Sequence, residues 1–335
     1  MSLSFNILGH AWTVPKPVKS SQIERDLKWP EGWSQRYSGV KKRHWVDHPE
    51  SNSELGVDAA LKAMDIAGVS IAEVDLVIFA GATYDYTLPN QASVIKSKLD
   101  SESRFHIPCI DVDTTCLSFI TGLEIAVEKL ALSKATNILL ISAEVSSNGL
   151  NPENRETYSL FGDAAAAFIL ANGSEVTIMN SLLRNYSSGV YDTIIEGPGN
   201  KKPPSLYPFT PETHTFKMNG KKLLRLAKTN IPVFMKELFS VVSIEPQDLN
   251  HCIPHQASKS GLLIFESCFP LIKLGVNVES TLEDYGNCIA ASIPMTFSML
   301  LSSGKVTQGQ TCLLAGTSAG FGIGGMILKF NVRPI

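Results

Sequence analysis

The chain has 335 residues, 44% of them hydrophobic, enough to bury one large domain or two of about 150 residues each. A formal net charge of −3 and a pI near 6.2 give no general reason to expect nucleic acid binding, and no apolar run reaches the roughly 18 residues of a membrane span. The opening MSLSFNILGHAW lacks the basic start, apolar stretch and small-residue cleavage site of a signal peptide, so a cytoplasmic protein is expected.

In chain order, DAALKAMDIAG (58–68) reads as a helix and VSIAEVDLVIFAG (69–81) as a turn entering an apolar strand. IPCIDVD is strand-like and leads through D-V-D-T-T-C (111–116) into CLSFITGLEIAVEKLAL. There the apolar positions 116, 119, 120, 123, 127 and 130 follow helical spacing, and Thr114 or Thr115 is placed to cap the start. The strands NILLISA (137–143) and FGDAAAAFIL (161–170) follow. A third helix is expected over 223–240, then VVSIEPQDLNHCIPH (241–255), EDYGNC (283–288) before another helical run, and the strands TCLLAGT (311–317) and FGIGGMILKF (321–330).

The order repeats. Val69-Ser70-Ile71 with Asp75-Leu76 recurs as Val242-Ser243-Ile244 with Asp248-Leu249 at an offset of 173 residues, and Cys116 matches Cys288 at 172. Two α/β halves, 1–172 and 173–335, are therefore expected from an internal duplication.

Six cysteines form no C-x-x-C pair and no regular framework, which argues against a disulfide scaffold or a metal site. Cys116 stands apart because a helix start favours the thiolate; from this context alone a buried core cysteine fits equally well. His255, in CIPHQAS, reads by itself as a bonded strand-end histidine, and Asn287, after Gly286, as a turn residue. Each gains weight because both sit at element boundaries in the second half, matching Cys116 in the first. GTSAGFGIGG (316–325) is followed by a strand, not a helix, so it is no dinucleotide fingerprint. It suits a loop whose N–H groups face an oxyanion.

With these segments in hand, the chain resembles the β-ketoacyl-acyl-carrier-protein synthase III family over nearly its whole length. The resemblance rests on D-V-D-T-T-C at 111–116, I-P-H-Q-A at 253–257 and G-N-C-I-A-A-S-I-P at 286–294, with F-G-D at 161–163, F-K-M-N-G at 216–220 and the 316–325 loop. It implies the duplicated five-layer α/β/α/β/α thiolase-like fold, a homodimer, and catalysis by Cys116, His255 and Asn287. The implied reaction loads an acyl group from acyl-CoA on Cys116 and condenses it with a malonyl thioester after decarboxylation, needing no metal or redox cofactor. The N–H groups near Ala319 and Gly320 would hold the oxyanion. Trp33 and Arg155 fall at the places that flank the CoA adenine. Leu88 falls where the family reaches into the partner subunit's acyl pocket, and Leu117 beside the acyl-cysteine.

Departures from the family pattern gather around the pocket. Tyr37 stands in a slot normally held by arginine, Leu117 and Ser118 replace small residues, Cys288-Ile289 replaces T-S, and Ser258 replaces asparagine. They point to a specialised pathway and an altered acyl preference. Lys217, Lys221, Lys222, Arg225 and Lys228 lie within twelve residues that contain no acid, and with Lys259 they are expected to dock an acyl carrier protein. Competing readings are a papain-like protease with the same Cys, His, Asn order, an acyltransferase or polyketide-type condensing enzyme using the same acyl-cysteine, and a non-catalytic duplicated scaffold.

Overall fold

The computed structural model describes residues 3–47 and 50–334. Its first half runs β1 (Leu3–Thr13), α1 (Asn52–Ala67), β2 (Leu76–Ala80), α2 (Gln91–Leu99), β3 (Cys109–Val112), α3 (Ser118–Ala131), β4 (Asn137–Glu144) and β5 (Ala164–Asn172). The second runs β6 (Val176–Asn185), α4 (Gly220–Phe239), β7 (His251–Pro254), α5 (Lys259–Cys268), β8 (Asn277–Val278), α6 (Ser292–Ser302), β9 (Thr311–Ser318) and β10 (Gly322–Phe330).

The strand order is β3-β2-β4-β5-β1 in one half and β8-β7-β9-β10-β6 in the other, the same sequence of positions with the same parallel and antiparallel pairings. The halves join where Leu3, Ser4 and Phe5 of β1 pair with Ile178, Thr177 and Val176 of β6. β2, β4 and most of β5 are buried on both faces, which is why they read as continuous apolar runs.

Helices complete five layers. α1 and α2 cover one outer face against Val77, Phe79 and Ile141, and α4 and α5 cover the other against Leu313 and Ile327. Between the sheets lie α3 and α6, where Phe168 of β5 stacks on Phe297 of α6 at 5.6 Å and meets Phe119 of α3 at 5.2 Å. All three rings are at most 1% exposed, and truncating any one to alanine would cost about 3–5 kcal/mol.

The order of strands repeats, but the register read from the sequence slips by two residues. Asp75 N–H donates to Asn137 O in the first half; in the second it is Asn250 N–H that donates to Thr311 O. Thr114 N–H donates to Ser118 Oγ as Cys288 N–H does to Ser292 Oγ, so Cys288 matches Thr114, and Cys116 matches Ala290. The repeated Val-Ser-Ile letters therefore do not mark equivalent positions.

Candidate active site

Cys116 sits in a single 3-10 turn, Thr115–Leu117, just ahead of α3, rather than on the helix itself. Neither Thr114 nor Thr115 caps the helix. Thr115 takes a φ of 52°, held by its N–H donating to Asp113 Oδ1 at 2.8 Å, and Ser118 Oγ closes the turn onto Thr115 O at 2.7 Å. The same device recurs at Ile289, with a φ of 46° and its N–H on Asn287 Oδ1 at 2.9 Å. Asp113 and Asn287 thus hold equivalent posts in the two halves.

That bond fixes the Asn287 amide. Its oxygen is used by Ile289, so its nitrogen is the group that donates to Ala257 O at 3.1 Å and has one further N–H to offer. Asn287 is placed by a crossing of two turns, in which its N–H donates to Leu160 O and Gly162 N–H donates to its carbonyl. A Cβ at Gly162 would lie 2.3 Å from Tyr285 O, and one at Gly286, where φ is 72°, 2.5 Å from Leu160 O. Both positions need glycine for this approach.

His255 ends the run after β7, its N–H donating to Ala315 O at 2.8 Å. Gly316 backs it so closely that a Cβ there would come within 2.4 Å of His255 Cβ. The ring is 4% exposed, and burial pushes its pKa down to about 4, so it is neutral at physiological pH. Nδ1 is enclosed without a hydrogen-bond partner, which places the proton on Nε2, because an N–H at Nδ1 would be buried with no acceptor.

The glycine-containing loop is the hairpin between β9 and β10, turning through Gly320 (φ 74°) and Phe321 (φ 49°). Thr115 Oγ donates to Ala319 O at 3.3 Å and ties the loop to the Cys116 turn. Cys116, His255, Asn287, Ala319 and Gly320 all line one cavity of about 510 Å³. Burial pushes the Cys116 thiol up to about 12, opposed by the N–H groups of Ala319 and of Cys116 itself. The helix start therefore does not leave a resting thiolate. Enclosure by protein favours a neutral thiol beside a neutral imidazole.

Other expected residues divide. Leu117 is fully buried in the central core against the place of Gly324, so it does not line the cavity. In a tight turn adjacent side chains point apart, and Cys116 takes the cavity side. Ser118 and Cys288 are likewise buried away from it, and of those replacements Ser258 and Ile289 border it. Leu88 is 84% exposed and lies outside the cavity.

Trp33 and Arg155 meet at a separate open depression that also includes Glu153 and Glu156. Tyr37 stacks on Trp33 at 4.7 Å, and the Arg155 guanidinium lies over Trp29 at 5.6 Å. In the basic segment, Lys217 pairs with Glu196 at 2.6 Å and Lys222 with Asp192 at 2.9 Å, acids from a distant stretch of chain. That leaves Lys221, Arg225 and Lys228 exposed on α4 and Lys259 at the start of α5, without ion pairs among the described residues.

Glu144 escaped the sequence reading. This fully buried carboxyl closes β4, accepting from Ala82 N–H at 2.8 Å and Thr83 Oγ at 2.7 Å, and burial pushes it up to about 8. Ala82 and Thr83 line the cavity, so Glu144 positions that wall. An acid ending the apolar run NILLISAE was the available signal.

Residues 110–187 match the family described as 3-oxoacyl-[acyl-carrier-protein (ACP)] synthase III, and residues 241–330 match its C-terminal part. The chain is 31% identical over 322 residues to a β-ketoacyl-[acyl-carrier-protein] synthase III of Coxiella burnetii, covering 94% of this chain and 96% of that one. A Fusobacterium nucleatum relative of the same name is 30% identical over 338 residues, covering 98% and 99%. Among solved structures, a 3-oxoacyl-(acyl carrier protein) synthase III from Pseudomonas aeruginosa superposes with a TM-score of 0.85 at 24% identity, covering 99% of both chains. The priming β-ketosynthase of a polyketide biosynthetic pathway does so at 0.85 and 24%, covering 99% of this chain and 97% of that one. The chain belongs to the β-ketoacyl-[acyl-carrier-protein] synthase III family, condensing acyltransferases of the thiolase fold.

Proposed function

We propose that Cys116 carries the acyl group, that acyl-CoA supplies it, and that a malonyl thioester on an acyl carrier protein is the extender. The observation that carries this reading is one cavity bordered by a thiol, a neutral imidazole, an amide with a spare N–H and a hairpin of backbone N–H groups. Sulfur attack on the acyl thioester forms the Cys116 S–C bond as the C–S bond to CoA breaks, and the thiol proton leaves with the CoA thiol. The N–H groups of Ala319 and Cys116 suit the oxyanion, since both already face the sulfur.

The malonyl group then loses carbon dioxide, and its electron pair passes into an enolate whose oxygen accepts from His255 Nε2–H and Asn287 Nδ2–H. Neutral donors stabilise that charge without protonating the carbanion. The enolate carbon attacks the acyl-cysteine, the C–C bond forms, the S–C bond breaks and the Cys116 sulfur regains a proton. Trp33 and Arg155 are assigned to the adenine end of CoA, and Lys221, Arg225 and Lys259 to the carrier protein. No metal or redox cofactor enters this scheme.

A cytoplasmic homodimer completes the proposal. All six cysteines are free, and among the described residues no helix is long and apolar enough to cross a membrane. β3 lies at the sheet edge, paired only with β2, and an unpaired edge invites a second strand. Leu88 projects from the loop leading to α2, whose first N–H groups donate to Asp111 of β3. The exposure of Leu88 supports its entering a partner's pocket across that edge.

The test is intact-protein mass spectrometry after incubation with a panel of acyl-CoAs. One acyl adduct should appear, map to Cys116, vanish in Cys116→Ala and persist in Cys288→Ala. An adduct mapped to another cysteine would overturn the assignment.

A further inference from the structure

The cavity does not end at the reacting groups. It runs on between α4 and α5, where Leu223, Ala227 and Ile231 of one helix and Leu262 and Phe265 of the other line it. On α4 these positions recur at helical spacing and share a face. Ile231 and Phe265 are 2% and 7% exposed, so the gallery is walled off from solvent at their level. From Leu223 to Ile231 the helix advances about 12 Å at 1.5 Å per residue. That is the scale of an extended octanoyl or decanoyl chain.

The helix is also interrupted there. Pro232 sits inside α4 directly after Ile231, and its ring cannot donate to Lys228 O. Cys268 of α5 reaches that carbonyl instead, Sγ to O 3.7 Å, which ties the two helices alongside the gallery. Gly261 of α5 borders the same space with no side chain of its own to fill it.

We propose that this gallery receives the alkyl chain of the acyl group on Cys116, making medium-chain acyl thioesters the preferred priming substrates; the inference rests on the reading of Cys116 as acyl carrier. None of the five gallery side chains offers a polar atom. A pantetheine arm would bury its amides there without partners, whereas an alkyl chain loses nothing. The chain enters with acyl transfer, as the thioester bond to CoA breaks and that to Cys116 forms.

Two measurements test it. Acylation rates on Cys116 with acetyl-, butyryl-, octanoyl- and decanoyl-CoA should favour octanoyl over acetyl by more than tenfold, each buried methylene being worth about fourfold. The octanoyl-to-acetyl ratio should fall at least tenfold in Ala227→Phe, and the optimum should lengthen in Ile231→Ala, a change in the opposite direction that misfolding cannot mimic. Separately, calorimetry with decyl-CoA thioether needs no acyl transfer. It should bind at least tenfold tighter than CoA to the wild type and no tighter than CoA to Ala227→Phe. Unaltered chain-length ratios in both variants, or an equal loss of plain CoA affinity in Ala227→Phe, would overturn the gallery. A gallery that holds decyl-CoA while Cys116 stays unlabelled would instead sink the acyl-carrier reading alone.

Discussion

Cys268 donates its thiol to the carbonyl of Lys228, the one that Pro232 leaves without its helical donor. A proline in a helix interior normally costs about 3 kcal/mol, and here a neighbouring helix supplies part of the missing bond. A thermodynamic cycle should reveal the link. Cys268→Ala should destabilise the wild type by about 0.5–1 kcal/mol and a Pro232→Ala background hardly at all, measured by denaturant unfolding. Equal costs in both backgrounds would mean the two residues are independent.

Gly316→Ala is expected to separate loading from condensation. The added Cβ would have to displace His255, 2.4 Å away, while Cys116 and the Ala319 hairpin keep their places. Malonyl-thioester decarboxylation should fall about 100-fold or more, the scale of one lost oxyanion donor. Acylation of Cys116 should fall far less when followed by mass spectrometry. A parallel loss of both would show that the imidazole is equally needed for loading.

His255 makes a pH prediction with a definite sign. Its folded pKa of about 4 lies below the ordinary value of 6.5, so between these values the unfolded chain binds more protons than the folded one. The contribution of this residue to stability is full above the ordinary value and falls as pH drops through the window, by at most about 3 kcal/mol. Unfolding free energies of the wild type and His255→Gln from pH 4 to 7 should diverge in slope, the variant being flatter.

Cys116 adds a chemical readout at the other end of the scale. Burial holds its thiol well above the ordinary range, so alkylation by iodoacetamide should be slower at pH 7.5 than for an exposed cysteine. The rate should continue to climb beyond pH 9. A plateau already reached at pH 7 would show that the helix start and the hairpin N–H groups dominate instead.

Charge reversal should distinguish paired from unpaired cations near the cavity. Lys221→Glu with Arg225→Glu should raise the KM for a carrier-bound extender about tenfold at low salt, with little change for acyl-CoA. Lys217→Glu and Lys222→Glu should act more weakly on docking, because Glu196 and Asp192 already neutralise those positions. Equal effects from both pairs would remove the case for a specific docking face.

Much of the frame was legible in the sequence because its signals are local. The apolar runs over 137–143 and 311–317 became β4 and β9, and the periodic stripe after Cys116 became α3. The repeat was legible as an order of elements but not as a register. The first connecting turn is closed by Ser70 with Glu73 and its counterpart by Glu245 with Asp248, so matching letters sat on non-matching posts. Cys116, His255 and Asn287 could be singled out because each lies at an element boundary in a distinctive segment. Leu117 was misread because the side to which a turn residue points depends on its φ and ψ, which the letters do not carry. The α4–α5 gallery was invisible for a different reason: it is lined by residues of two helices whose packing against each other the letters do not carry, and Pro232 was its local sign.

Asp113 and Asn287 occupy the same post in two copies of one frame, yet in the proposed reaction one copy supplies the sulfur and the other the hydrogen-bond donors. In that scheme neither copy alone supplies every reacting group, so each half complements the other. Among the described residues the strands of those halves meet over three paired positions, Leu3 to Phe5 against Val176 to Ile178. The halves are tied again at the site, where Asn287 bonds Leu160 and Gly162 and Thr115 bonds Ala319, so a slide of one past the other would strain these bonds as it lengthened the gap between sulfur and donors. Turnover should therefore report on relative motion of the halves well before either half begins to unfold.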